Sequence, residues 1–164
     1  MNRTEGVRPI IDAFLTRLDE VVERCAETIA SSVPSYESRG DALMDEVKSA
    51  VRTNVEILAL VLSENRDVRP DELQSIENVG ARRAEAGIPL DDVLVAYRSV
   101  SRVCWDVLAQ EARAYEGDAL EAAIELAEAI FRYTDQISAA VADAYARAQR
   151  SIVREQEGAR REFL

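Results

Sequence analysis

The chain has 164 residues, 48% of them hydrophobic, which is enough to bury the core of one domain and too many for a disordered segment. Its formal charge of −11 argues against direct binding to nucleic-acid phosphates or to anionic membrane surfaces. It contains no histidine, which removes Ser-His-Asp and Cys-His relays, His-ligated zinc or haem, and the usual residue of a pH switch near neutrality.

Apolar residues recur at three- and four-residue steps throughout, and no stretch alternates as a half-buried strand would. The pattern predicts five helices. The first runs from about Pro9 to Ser31, with Pro9 in the first turn and an apolar stripe through Ile10, Phe14, Leu18, Val21, Val22, Cys25 and Ile29. The second runs from Asp41, read as its N-cap, to Ser63, with Leu43, Val47, Val51, Val55, Leu58 and Leu62 facing inward. The third spans about Pro70 to Ala86, carries Gly80 in its middle and ends at Gly87.

The fourth begins at Pro89 and reaches about Tyr115. Its inner face includes Val93, Tyr97, Val100, Cys104, Trp105 and Leu108. The fifth starts at Asp118, where Asp118 and Glu121 have capping-box spacing, and runs on to Arg161. Leu120, Ile124, Ala127, Phe131, Ile137, Val141 and Tyr145 are read as its apolar face. The stretch Ser151–Leu164 is charged, with Ile152, Val153 and Phe163 as its only large apolar residues, so it is expected to project from the body. These elements describe an all-α, single helical bundle of about five helices with a long projecting C-terminal helix. Residues 1–150 are expected to form the bundle, and 151–164 a linker helix.

No apolar run approaches the roughly 18–20 residues that span a bilayer. Residues Met1 to Arg8 lack the layout of a signal peptide, so a cytoplasmic location without membrane contact is expected. Cys25 and Cys104 fall on apolar helix faces and read as buried, reduced, small hydrophobes. Carboxylate pairs such as Glu125 with Glu128 and Asp41 with Asp45 read as solvated faces, so no metal or cofactor is expected. There is no phosphate loop, dinucleotide fingerprint or nucleophile elbow, and no catalytic residues are assigned.

The most unusual cluster is Arg82, Arg83, Tyr97, Arg98, Arg102 and Trp105. Guanidinium groups beside aromatic rings can hold a carboxylate or phosphate ligand. The same arginines can equally pair with acids on neighbouring helices. Arg83, Tyr97, Arg98, Arg102 and Trp105 are the candidate ligand-binding residues, the arginines neutralising an anion and the rings shaping the pocket.

The order Arg82-Arg83, then Gly87-Ile88-Pro89-Leu90, then Ala96-Tyr97-Arg98 ahead of Trp105 resembles the N-terminal domain of PucR/CdaR-like transcriptional regulators. The same domain type is named for the RsbT co-antagonist proteins of stress signalling. The stretch Arg154 to Leu164 is similar to the linker helix that enters the next domain in those regulators. The resemblance implies a non-catalytic input or oligomerisation domain, a homo-oligomer formed through the C-terminal helix, and a helix-turn-helix domain further along the full-length protein. Stress-signalling relatives include a globin-like input domain without haem, so a globin-like bundle is also implied. The alternative is a protein-interaction module of a stress-signalling complex that binds no small ligand and uses its acidic face to select a basic partner.

Overall fold

A computed structural model describes residues 3–162. Among the described residues every regular element is a helix: α1 (Arg3–Thr16), α2 (Leu18–Ser32), α3 (Pro34–Glu37), α4 (Asp41–Glu64), α5 (Pro70–Glu85), α6 (Leu90–Arg113) and α7 (Ala119–Glu162). Phe163, expected in the projecting tail, lies outside the described residues.

The expected first helix is in fact two. The backbone breaks at Arg17, whose N–H donates to Phe14 O at 2.9 Å in a tight turn. The Arg17 side chain anchors that break, bonding Glu20 beside it and Gln110 and Glu111 at the end of α6. Pro9 lies inside α1, which begins earlier than expected. The one-turn helix α3 was not anticipated, although Pro34 at its start supplies the fixed φ that favours a first turn. Gly40, with φ of 90°, occupies the N-cap of α4, and Asp41 is the first helical residue, contributing through the macrodipole instead.

The buried stripes of α2, α4 and α6 follow the expected positions: Val21, Cys25 and Ile29; Val51, Val55 and Leu58; Val93, Val100 and Cys104. The first half of α7 departs from expectation. Its buried face is Ala122, Leu126, Ile130 and Tyr133, leading into Ile137, Val141 and Tyr145. Leu120 and Phe131 are 73% and 71% exposed, and Ile124 is exposed too. Two apolar stripes of comparable size run along this part of the helix, and the one through Leu126, Ile130 and Tyr133 is the one buried.

α5 packs closely along α7. A Cβ on Gly80 would stand 3.1 Å from the backbone oxygen of Val141. Glycine, costing about 1 kcal/mol of helix propensity, is what allows the two backbones to meet. At the end of α5 the Ile88 N–H bonds Arg83 O at 3.0 Å and the Gly87 N–H bonds Ala84 O at 3.0 Å. This is a Schellman termination, with Gly87 at φ 74°. Ile88 is fully buried behind it, and Tyr145 donates from α7 to Ile88 O at 2.5 Å. The expected capping interaction of α7 is present, since Glu121 N–H donates to Asp118 Oδ1 at 3.1 Å.

Candidate functional site

Between α4, α5 and α6 the helices enclose a recess of about 30 Å³, room for one or two water-sized groups. Its walls are mainly apolar, with Val47 and Val51 from α4, Val79 from α5 and Val100 from α6. Four polar side chains also line it: Tyr36, Asn54, Arg83 and Tyr97. A second, larger cleft of about 380 Å³ adjoins it and shares Ala50, Asn54, Val79 and Tyr97 as walls. The cleft is polar, bordered by Ser49, Thr53, Ser75 and Asn78, with Glu46 and Arg82 as its charged groups.

Arg83 is the unusual member. It is 3% exposed, while Asn54 is the other buried polar residue of the described chain. Its position follows from the end of α5. The helix must bury Ala84 and Ile88 at its termination, and that phase turns residue 83 inward as well. Arg83 Nη1 donates to Glu46 Oε2 at 3.4 Å, the long end of the hydrogen-bond range. Glu46 itself is 57% exposed. A buried cation is therefore held by a carboxylate that remains largely in water.

The guanidinium also lies beside the Tyr36 hydroxyl. Burial pushes both the Tyr36 and Tyr97 phenols above their ordinary range, and Arg83 pulls them partly back. Both rings are neutral at physiological pH and keep an O–H to donate.

Asn54 links the cavity to α7. The Tyr133 hydroxyl donates to both the side-chain oxygen and the main-chain oxygen of Asn54. Asn54 stands in the middle of the apolar stripe of α4, which was the available signal for a buried polar role. Tyr36 gave no comparable signal, because α3 was read as loop.

The structure brings together two of the five candidate residues. Arg83 and Tyr97 line the same recess. Arg98 and Arg102 are exposed, and Trp105 is half-buried, packed against the core. Successive helical residues point about 100° apart, so Arg98 cannot share the direction of Tyr97. None of the three lines the recess or the adjoining cleft. Arg82 borders the cleft's mouth instead.

Cys25 and Cys104 are fully buried free thiols. Among the described residues no group of three or more cysteine and acidic side chains is placed to hold a metal ion. Nor is any described helix long and apolar enough to cross a membrane.

No curated protein and no solved structure matches the chain. The family model for the RsbT co-antagonist protein rsbRD N-terminal domain matches residues 19–160, from the start of α2 to within two residues of the end of α7. The matched region leaves out α1 but takes in the recess and nearly all of the long last helix, and the chain belongs to the family of RsbT co-antagonist protein rsbRD N-terminal domains, a regulatory family of stress signalling.

Proposed function

We propose that this domain is the non-catalytic signal-input and oligomerisation half of a PucR-like transcriptional regulator, followed by a helix-turn-helix output domain. One observation carries the reading: the walls of the recess are the anchors of α7. Val79 and Arg83 face the recess from α5, while Gly80 between them meets the backbone of Val141. Asn54 faces it from α4 and is bonded to Tyr133. A change in recess packing therefore acts on α7 at two places. A ligand shifts the equilibrium only by the difference in its affinity for the two packing states.

The exposed side chains of α7 support pairing with a second copy. Leu120, Ile124 and Phe131 follow steps of four and seven, which place them on one stripe. Sedimentation of the protein, with and without Phe131→Glu, tests the pairing: the parent sediments as a dimer and the variant as a monomer. Sequencing the native gene beyond the codon for Leu164 tests the output half. An in-frame helix-turn-helix domain upholds the regulator reading, and a stop codon there removes it.

The net charge of −11 favours a second reading, an interaction module of a stress-signalling complex that selects its partner through an acidic face. On that reading the parent is monomeric, and a basic partner protein binds in a salt-sensitive manner.

A further inference from the structure

Arg83 is buried, yet the group that neutralises it is tethered in water. Glu46 is more than half exposed and reaches the guanidinium at 3.4 Å, across the boundary between the polar cleft and the apolar recess. The geometry points to Glu46 as a stand-in for a diffusible carboxylate: the recess is a binding site for a short aliphatic monocarboxylate, which displaces Glu46 from Arg83.

Three features set that chemical class. A single guanidinium presents a planar fork that matches a carboxylate in two parallel hydrogen bonds. The neutral Tyr36 hydroxyl beside Arg83 supplies a further donor. The walls that continue from the polar end are valines, Val47, Val51, Val79 and Val100, and they accept an alkyl group rather than a hydrated one. The room of about 30 Å³ admits one or two carbon groups beyond the carboxylate. A phosphate dianion fits poorly, because its second charge would enter the apolar recess unneutralised and with Glu46 close by. A ligand carboxylate costs Glu46 little, since that side chain moves only from a loose pair to full hydration.

The site gives the signal-input reading its ligand class, but its chemistry stands apart from that reading. The test is a titration of the protein with sodium propionate followed by amide NMR, with propionamide and inorganic phosphate as controls. Propionate is expected to produce saturable shifts around Arg83, Tyr97 and Asn54, whereas propionamide and phosphate produce none. Glu46→Gln removes the competing charge and tightens propionate binding by up to about fivefold, the worth of a half-exposed pair. Arg83→Met abolishes binding. It keeps the side-chain volume and leaves Glu46 free in water, so it creates no buried orphan charge.

The proposal is overturned if neither the parent nor Glu46→Gln shows saturable shifts, if propionamide binds as well as propionate, or if binding survives Arg83→Met. The same spectra report Val141 and Tyr145. Binding that leaves those residues unmoved upholds the site and removes the signal-input reading. Absence of binding removes the site and leaves that reading to another signal.

Discussion

Replacing Gly80 tests the contact on which the coupling depends. In an exposed helix interior, glycine to alanine gains about 1 kcal/mol. At Gly80 that gain is opposed, because the new Cβ stands 3.1 Å from Val141 O and 3.6 Å from Val141 Cα. Both are backbone atoms, so no side-chain rotation relieves the contact, and α7 itself must give by a few tenths of an ångström. The two effects nearly offset for alanine. Leucine adds three more carbons to a closed contact, and overpacking of this kind costs typically 1–3 kcal/mol. Gly80→Leu is therefore expected to lose about 2 kcal/mol in urea denaturation followed by far-UV circular dichroism, with an unchanged slope. Gly158→Ala is the control. Nothing lies within 4 Å of a Cβ there, so it raises helix content in the tail without moving the denaturation midpoint. A Gly80→Leu protein as stable as its parent would refute the close approach of α5 to α7.

Tyr133→Phe removes the hydroxyl that donates to the buried Asn54 side chain, and is expected to cost about 1–3 kcal/mol in the same assay. Glu72 lies below the usual carboxylate range, chiefly because the Arg66 guanidinium bonds it, and its carboxylate also accepts the Arg69 N–H at 2.9 Å. A lowered folded pKa contributes stability that is full above the ordinary glutamate value and is lost as pH falls through the folded one. Glu72→Gln should accordingly be less stable than the parent at pH 7 and show a flatter loss on acidification; an unaltered acid limb would contradict the bond to Arg66. The Cys25 neighbour and burial hold the Cys104 thiol well above its ordinary pKa. Neither thiol should react with an aromatic disulfide reagent at pH 8 until denaturant is added, and rapid reaction in the native protein would show that the α2–α6 contact opens.

The helices were legible because their apolar period is long and their punctuation is chemical. Gly87 followed by Pro89 separates α5 from α6 in the sequence, and the backbone at Gly87 shows why, since a positive φ is needed there. The break at Arg17 was not legible, because no glycine or proline marks it and its anchors, Gln110 and Glu111, lie over ninety residues away. The face of α7 was misread for a related reason. Leu126, Ile130 and Tyr133 form a stripe as apolar as Leu120, Ile124 and Phe131, and periodicity alone does not tell which of the two meets the neighbouring helices. Of the candidate residues, Arg83 and Tyr97, grouped as a guanidinium beside an aromatic ring, do line one recess. Arg98 and Arg102 were grouped with them by closeness in sequence, which on a helix separates directions rather than uniting them.

The length of α7 decides how a small change in the recess can reach beyond the body. Its last buried residue is Tyr145, and the described residues beyond Ile152 are exposed. Tyr133, bonded to Asn54, and Val141, against Gly80, are eight residues or about 12 Å apart along the axis. Glu162 is twenty-nine residues or about 44 Å from Tyr133. If Tyr133 acts as pivot, a rigid helix multiplies any displacement at Val141 by the ratio of those lengths, about 3.6-fold at its end. A shift of about 1 Å, of the size helices make at interfaces, becomes nearly 4 Å at Glu162. The charged, glycine-containing tail has no packing of its own to resist that motion, and so the domain's freedom to signal lies in the part of α7 that its core leaves uncovered.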